Sequence, residues 1–284
     1  MKVISKAEEL EKAIGGTLLS PVGFVPTMGA LHAGHLSLVN RATDETPLVV
    51  TSIYVNPTQF NDPKDLENYP RTLEEDLALL KNHLRTDDIV FTPSDREIYP
   101  EKDTRQFHFG NLDNVMEALH RPGHFNGVAQ VVSRLFAIVR PDIAYFGQKD
   151  FQQLAVIREL VRQTGNRVRI VGCPIIREAD GLAMSSRNRL LDPEIRKNAA
   201  TIFKALNLAS ERFKSKEIAE LKKDVKDMIE KIPGFTVEYF EIADDIELIP
   251  LKNKSEVREG CRYFGCIAVM AGKIRLIDNI EIQV

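Results

Sequence analysis

Two histidines three residues apart, His32 and His35, are the side chains whose types and spacing most directly suggest chemistry in this chain. They end the stretch VGFVPTMGALHAGH (22–35), in which an apolar run passes into a turn containing Gly29 and Gly34. Residues three apart share one helix face, so both imidazoles would face the same side of a first helical turn. Free backbone N–H groups at a helix start bind anions. The pattern therefore indicates a phosphate site at the carboxyl end of a strand.

Two solvated polar side chains, or a metal site, could also account for the histidine pair. The zinc-protease motif on a helix places its two histidines four residues apart, with a glutamate between them. Here the separation is three, with Ala33 and Gly34 between. The strand, the small-residue turn and the paired histidines are together more specific than the pair alone, and they favour phosphate.

The segment PTMGALHAGH (26–35) resembles the T-x-G-x-L-H-x-G-H signature of the pantoate–β-alanine ligase family. That family belongs to the nucleotidylyltransferase superfamily, which is related to the class I aminoacyl-tRNA synthetases. The superfamily motif alone leaves many substrates open. Further segments resemble family motifs in the same order: VNPTQF (55–60), RPGHFNGV (121–128), FGQKD (146–150), GLAMSSRN (181–188) and LIDN (276–279). The resemblance covers nearly the whole chain.

The resemblance implies an ATP-dependent condensation of (R)-pantoate with β-alanine to pantothenate, AMP and diphosphate, through a pantoyl adenylate. The implied catalytic residues are His32, His35, Lys149, Ser185, Ser186 and Arg187. The implied ATP-binding residues are Met28, Gly29, His32, Gly34, His35, Gly147, Lys149, Asp150, Ile176, Met184, Ser185, Ser186 and Arg187. The implied residues for pantoate and β-alanine are Pro26, Thr27, Met28, Asn56, Gln59, Arg121, His124 and Gln153. In the family, the histidine matching His35 is the proton donor.

The residue types agree with these roles. Gln59 and Lys149 each follow an apolar run, at the strand ends where open parallel sheets bind ligands. Gln59 can both donate and accept, which suits a substrate with hydroxyl and carboxylate groups. The Lys149 ammonium can follow charge as it moves between phosphate oxygens. Without this context, either side chain would be an ordinary exposed residue. Gln148 departs from the family, where Glu is common.

Three motifs leave alternatives open. Asp76, in a segment resembling the family's Y-P-R-T-x-x-x-D, either supplies favourable charge at a helix start or approaches the Mg²⁺ of a bound nucleotide. Arg121 and His124 are expected on a loop, where such a pair is often only surface. Ser185–Arg187 alone could be a helix cap followed by a solvated arginine. After the histidine motif it resembles the KMSKS loop of class I synthetases.

The elements that would position these residues alternate between apolar strands and amphipathic helices. We predict strands at about 22–25, 48–55, 88–93, 143–146 and 167–171. Helices are predicted at 5–14 (Ser5 as N-cap), from near His32 through Ala42, and at 73–80, 111–119, 128–139 and after 150. This order predicts an α/β fold with a Rossmann-like, doubly wound parallel sheet. Helices at 193–214 and 216–232 and strands at 236–243, 263–270 and 273–277 predict a small α+β domain. We expect an ATP- and pantoate-binding domain at 1–175 and a C-terminal lid at 176–284.

Composition narrows the class of partner. The net charge of −3 disfavours a nucleic-acid partner and favours small substrates. Cys173, Cys261 and Cys266 form no zinc framework and indicate a reducing compartment. No signal-peptide or membrane-spanning pattern is found, so a cytoplasmic enzyme without a membrane partner is expected. The resemblance adds a homodimer and Mg²⁺ accompanying ATP.

Two alternative functions stay open at this level. One is a nucleotidylyltransferase that adenylates another small carboxylic acid or a nucleotide. Gln59 and Gln153 argue for pantoate instead. The other is a non-catalytic adenine-nucleotide sensor, which would not need a charge set around the leaving pyrophosphate.

Overall fold

The apolar runs of the first 175 residues form one parallel sheet of six strands. The computed structural model describes residues 1–284. In chain order the strands are β1 (Lys2–Ile4), β2 (Val22–Thr27), β3 (Leu48–Ile53), β4 (Ile89–Phe91), β5 (Ile143–Gly147) and β6 (Arg169–Cys173). Their order in the sheet is β1-β4-β3-β2-β5-β6. The middle strands are buried on both faces, which explains their uninterrupted apolar sequences.

The direction of winding reverses between β2 and β5. From β2 the chain proceeds to β3 and β4 on one side, and it later crosses to β5 and β6 on the other. β2 and β5 pair directly, with Gly23 opposite Ile143. In doubly wound sheets, ligands bind outside the carboxyl ends of the strands at such a reversal. The signature turn follows β2, and Phe146 and Gly147 of FGQKD end β5, so these motif residues of the first unit lie at this reversal. The predicted Rossmann-like fold is confirmed.

Eleven α-helices connect and follow the strands. They are α1 (Ala7–Gly15), α2 (Ala33–Glu45), α3 (Pro63–Asn68), α4 (Leu73–Leu80), α5 (Asp95–Ile98), α6 (Glu117–His120), α7 (His124–Val139), α8 (Phe151–Thr164), α9 (Pro193–Asn198), α10 (Thr201–Arg212) and α11 (Ile218–Glu230). Short 3₁₀ turns occupy Pro57–Gln59, Gly110–Asp113, Ser186–Leu190 and Lys254–Glu256. None of the helices combines the length and apolar character needed to cross a membrane.

A second, antiparallel sheet follows in the chain. Its strands, in order, are β7 (Phe235–Asp244), β8 (Tyr263–Ala271) and β9 (Ile274–Ile282). Gly272, with φ of +61°, turns β8 into β9. Apolar side chains of α10, α11 and the sheet, including Leu206, Val225 and Ile267, form one buried cluster. This is the expected small α+β arrangement.

The chain divides into two compact units. The first comprises 1–109, 121–148 and 156–174, and the second comprises 110–120, 149–155 and 175–284. Lys149 and Gln153 therefore belong to the second unit, although they precede residue 175. The assignment of 1–175 to substrate binding and 176–284 to a lid stays a prediction.

Near the amino terminus one prediction was wrong and one strand was not predicted. Ser5 is not the N-cap of α1, because the helix begins at Ala7 after Lys6, which makes no side-chain cap bond. The distant carboxylate of Glu97 accepts the Ala7 N–H instead, at 2.8 Å. β1 was not predicted, because three residues are too few to show a strand period.

Three helix predictions were also wrong. The segment predicted as one helix at 111–119 forms a 3₁₀ turn, Gly110–Asp113, and the separate short helix α6. His124 does not lie on a loop but begins α7, after Gly123 in the left-handed region at φ of +80°. The predicted helix at 193–214 is interrupted between Asn198 and Thr201, so α9 and α10 are separate. Such interruptions preserve the apolar period and are not visible in it.

Candidate active site

The signature turn, Met28–Leu31, connects β2 to α2 through an unusual backbone. Gly29 and Ala30 both have left-handed φ angles, of +80° and +49°. A Cβ at Gly29 would lie 3.0 Å from a carboxylate oxygen of Asp76 and 3.1 Å from Ile53, in a conformation that side chains rarely adopt. Left-handed backbone at a non-glycine residue persists where the surroundings hold it, often at functional sites.

Asp76 is the side chain that holds this turn. Its Oδ2 accepts the Ala30 N–H at 2.9 Å, and its Oδ1 accepts the Leu31 N–H at 2.7 Å. Thr72 Oγ1 donates to Oδ1 at 3.3 Å. The carboxylate is only 1% exposed. Asp76 thus satisfies two backbone amides that the turn would otherwise offer to an anion.

This arrangement bears on the proposed magnesium ligand. Both oxygens of Asp76 already accept backbone N–H groups, and no three His, Cys, Asp or Glu side chains form a group that could hold a metal. The residues present therefore do not form a protein-built Mg²⁺ cage. Mg²⁺ that enters a site on nucleotide phosphates and water needs few protein ligands. A direct contact of Asp76 with such an ion stays a prediction.

The histidine pair begins α2 as expected. His32 is the N-cap residue, and its Nδ1 accepts the Gly34 N–H at 3.1 Å. Because a backbone amide can only donate, neutral His32 must carry its proton on Nε2. The His35 ring lies 4.1 Å from that of His32, centroid to centroid. The capping bond thus places the N–H of a neutral His32 ring on Nε2, and an N–H group can donate to a phosphate oxygen.

Gln59 lies in the 3₁₀ turn after β3 and is held by its neighbours. Asn56 Nδ2 donates to Gln59 Oε1 at 3.1 Å and to the Gly127 carbonyl at 3.2 Å. Tyr99 OH donates to Asn56 Oδ1 at 2.9 Å, and burial raises the pKa of Tyr99, which keeps that proton in place. Gln59 Nε2 lies 3.1 Å from the sulfur of Met28. The amide of Asn56 is therefore used within the protein, where it orients Gln59.

His124 and Gly127 fix the backbone of the same turn. His124 is buried, and its Nδ1 is 2.8 Å from the Gln59 carbonyl oxygen. A Cβ at Gly127 would lie 2.8 Å from Gln59 Cα and would clash with the Thr58 carbonyl, so only glycine allows α7 this close. The structure thus brings Met28, Asn56, Gln59 and His124 together, whereas Arg121 precedes α7 in the adjoining turn.

The second unit carries the remaining motif residues. Lys149 and Gln153 are partly exposed, and Asp150 is exposed just before α8. Gln152, by contrast, is buried and bonds the backbone of the 112–117 segment. Gln153 is therefore the glutamine of this pair that is accessible to a substrate.

A small hairpin presents the Ser-Ser-Arg motif. Ile176 O accepts the Met184 N–H at 3.0 Å, and Arg177 pairs with Ala183 across the hairpin. Ser185 then caps the following 3₁₀ turn, with its Oγ accepting the Arg187 N–H at 3.3 Å. The cap interpretation of Ser185 is thus correct locally, and it orders the backbone that carries Ser186 and Arg187.

Sequence reasoning missed the side chains that support the second unit. Arg177 pairs with Asp278, and Arg275 forms a bidentate pair with Glu117, at 2.7 and 2.8 Å. The LIDN resemblance pointed to Asp278 but gave it no role. Only a pairing signal between distant positions could have found these contacts.

Comparisons with known proteins identify the family of this chain. The family model for pantoate-beta-alanine ligase matches residues 2–281. This chain belongs to the pantoate–β-alanine ligase family. A pantothenate synthetase from Bacteroides thetaiotaomicron is 50% identical over 283 residues, and one from Phocaeicola vulgatus is 51% identical over 284, with 99% of each chain covered.

Solved structures of the family share the fold. The pantothenate synthetase from Thermus thermophilus superposes with a TM-score of 0.89 at 44% identity, covering 99% of both chains. The ligase from Francisella tularensis, complexed with beta-gamma ATP and beta-alanine, has a TM-score of 0.80 at 34% identity, covering 99% of this chain and 97% of the other. The predicted family and the predicted ligase activity are confirmed.

Proposed function

We propose that this chain condenses (R)-pantoate with β-alanine, consuming ATP and releasing pantothenate, AMP and diphosphate through pantoyl adenylate. The observation that carries the proposal is the family match over 2–281, together with His32 as the N-cap of α2 and the His35 ring beside it. The ATP and β-alanine named for the Francisella complex support the same substrates.

In the first step the pantoate carboxylate attacks the α-phosphorus of MgATP. A carboxyl oxygen–phosphorus bond forms, and the bond to the leaving pyrophosphate breaks. A carboxylate needs no general base, so the protein contributes positioning and positive charge. His32, through Nε2–H, and His35 donate to phosphate oxygens, and His35 acts as the proton donor. Lys149, Ser185, Ser186 and Arg187 stabilise the negative charge of the phosphates.

In the second step the neutral amine of β-alanine attacks the acyl carbon of the mixed anhydride. The carbon–nitrogen bond forms, AMP leaves, and the ammonium proton passes to solvent. We assign no side chain as its base.

Gln59 and Gln153 recognise the hydroxyl and carboxylate groups of pantoate, with Pro26, Thr27, Met28 and Arg121 beside them. Asn56 and His124 contribute by holding Gln59, since their bonds to it are already made. The nucleotide is bound by Gly29, Gly34, Gly147, Asp150, Ile176 and Met184 in addition to the catalytic residues. In this proposal, Mg²⁺ enters as part of the MgATP substrate.

The assembly and compartment are also proposals. We expect a homodimer, as in the family, and light scattering of the purified chain tests this directly. The three cysteines are free thiols, two of them buried, which fits a reducing cytoplasmic environment.

The test of the function is product identification with a substrate panel. Purified protein, MgATP and β-alanine are incubated with (R)-pantoate, (S)-pantoate or other short hydroxy acids, and products are identified by mass spectrometry. The proposal is supported if, of the acids tested, only (R)-pantoate yields pantothenate and AMP in equal amounts. Adenylation of another acid in preference to pantoate contradicts it, and ATP binding without any turnover would instead indicate a sensor.

A further inference from the structure

Asp278 and Asn279 are adjacent residues of β9. Asp278 contacts Arg177, in the hairpin that precedes Ser185–Arg187, and Asn279 contacts the backbone of Lys149. Asp278 is 4% exposed and forms a bidentate pair with Arg177, with N–O distances of 2.7 and 3.0 Å. Burial raises the pKa of Asp278, and the nearby charges of Arg177 and Lys149 oppose that rise. Such a charge-assisted, two-point contact fixes orientation as well as distance.

The guanidinium of Arg177 is held on several sides. Its Nη1 also donates to the Gly181 carbonyl and its Nη2 to the Asn279 carbonyl, both at 3.1 Å. Its Cζ lies 3.8 Å from the ring centroid of Phe203. Arginine is suited to this combination of stacking and forked donation, which lysine cannot reproduce.

These contacts tie the hairpin of 176–184 to β9. Arg177 pairs with Ala183 across the hairpin, and Ala183 lies two residues before Ser185. Displacement of Arg177 would therefore move the turn that carries Ser185–Arg187. The anchoring acts on the Ser-Ser-Arg motif from outside it, because Arg177 and Asp278 lie outside GLAMSSRN (181–188).

Asn279 makes the second connection. Its Nδ2 donates to the backbone carbonyl of Lys149 at 3.1 Å, and its own N–H is accepted by Asp278 Oδ1 at 2.7 Å. The backbone of the lysine and the hairpin of the Ser-Ser-Arg motif are thus both held by adjacent residues of one strand.

We propose that Arg177, Asp278 and Asn279 are positioning residues for adenylyl transfer. They hold the Lys149 backbone and the Ser185–Arg187 turn at fixed positions relative to β9. This proposal rests on the proposed function. Its physical basis is that misplacing a charged group by about 1 Å costs on the order of 10²-fold in rate. The alternative is that Arg177 and Asp278 form a buried ion pair that only stabilises the fold. Such pairs contribute little net stability.

Asn279→Ala tests the contact to the Lys149 backbone. Asn111→Ala, at an exposed asparagine, is the control for the loss of a long-range amide bond. Asn111 makes the same kind of long-range bond, from Nδ2 to the Glu247 carbonyl at 2.7 Å, in the same unit. Two half-reactions are measured in single turnover, per active site: pantoyl-adenylate formation, and aminolysis of added pantoyl adenylate by β-alanine. We expect Asn279→Ala to slow adenylation by about 10- to 100-fold, with a much smaller effect on aminolysis. Asn111→Ala should change both by less than about twofold.

A double-mutant cycle with Lys149→Ala asks whether Asn279 acts through the lysine. If it does, Asn279→Ala causes little further loss once the Lys149 ammonium is absent. Equal slowing of both half-reactions, or full additivity in the Lys149→Ala background, would overturn the role in positioning Lys149.

Arg177→Lys tests the contact that holds the hairpin of 176–184, and it keeps a positive charge beside Asp278. We expect it to slow adenylation selectively and to lose most of that effect in an Arg187→Ala background. An adenylation rate for Arg177→Lys equal to that of wild type would overturn the role of Arg177 in positioning the hairpin. Failure of the wild-type protein to adenylate pantoate would instead refute the underlying function, so the two failures are distinguishable.

Discussion

The signature turn of the first unit and the Ser185–Arg187 turn of the second both carry groups that we propose bind phosphate, but they are supported differently. The signature turn lies between β2 and α2, and a single distant side chain, Asp76, holds it. The Ser185–Arg187 turn follows a hairpin outside both sheets, and its support comes from Asp278, 101 residues away from Arg177. Both turns thus use a long-range contact, but the signature turn is also fixed at its two ends by a strand of the sheet and a helix.

This difference has a functional consequence. A turn fixed by its own strand and helix is already arranged before a ligand binds. The position of the hairpin, by contrast, depends on the contact between Arg177 and Asp278. We therefore expect substitutions of supporting residues to disturb the second region more than the first, where the strand and the helix remain in place.

The largest expected effect in this comparison is that of Lys149→Ala. Removal of the ammonium should lower the rate of pantoyl-adenylate formation by about 10³-fold, because the developing phosphate charge loses a cation. The fold should persist, since Lys149 is partly exposed and its contact to Asn279 is through the backbone. Rapid-quench single turnover measures the rate, and Lys223→Ala, an exposed lysine of α11, is the control. Unchanged adenylation would remove Lys149 from the mechanism.

His32→Asn separates two functions of the signature turn. Asparagine is a good N-cap, so its oxygen can replace Nδ1 as acceptor for the Gly34 N–H. The Nε2–H donor is lost, and adenylation should fall by about 10²-fold. The melting temperature should be close to that of wild type, whereas His32→Ala should lose both activity and about 1 kcal/mol of stability. If His32→Asn is fully active, the role of His32 is capping alone.

Asp76→Asn tests the single distant support of the signature turn. The new amide group can accept only one of the two backbone N–H groups, so the unfolding free energy should fall by about 1–3 kcal/mol. Adenylation should slow, while the Mg²⁺ concentration for half-maximal rate should not change. Denaturant unfolding and a magnesium titration are the measurements. A large rise in that Mg²⁺ concentration would instead make Asp76 a ligand of the nucleotide-bound ion.

Gly127→Ala should have the smallest effect of the four. The added methyl group would push the Thr58–Gln59 turn away from α7, at a cost of about 1–3 kcal/mol. The KM for pantoate should rise while the KM for ATP stays near wild type. Gly15→Ala is the matched control, because a Cβ there meets nothing within 4 Å. Equal changes in both KM values would contradict a specific role of this packing in holding Gln59.

The same contrast explains how much of the structure could be predicted from sequence. The continuous apolar run of β3 and the strand–turn–helix of the signature are local patterns, and both were predicted. The doubly wound order follows from alternating strands and helices. β1 was too short to predict, and the start of α7 at His124 was hidden by the Pro-Gly pair before it.

The unpredicted parts of the candidate site are contacts between distant residues. Asp76 was expected near a helix start, but nothing in its local sequence shows that it binds the amides of Ala30 and Leu31. Arg177 and Asp278 likewise pair across a gap in sequence that no periodicity spans. Composition and spacing identify groups able to do chemistry, whereas the bonds that position them depend on the tertiary fold.

The most direct test of the two-step mechanism is pyrophosphate release from MgATP and (R)-pantoate, measured with and without β-alanine. We expect a limited burst without β-alanine, close to one pyrophosphate per active site, because pantoyl adenylate stays bound. Addition of β-alanine should convert the burst into steady turnover to AMP and pantothenate. Absence of pyrophosphate release with pantoate alone, in protein shown to bind ATP, would contradict an adenylate intermediate formed before β-alanine reacts.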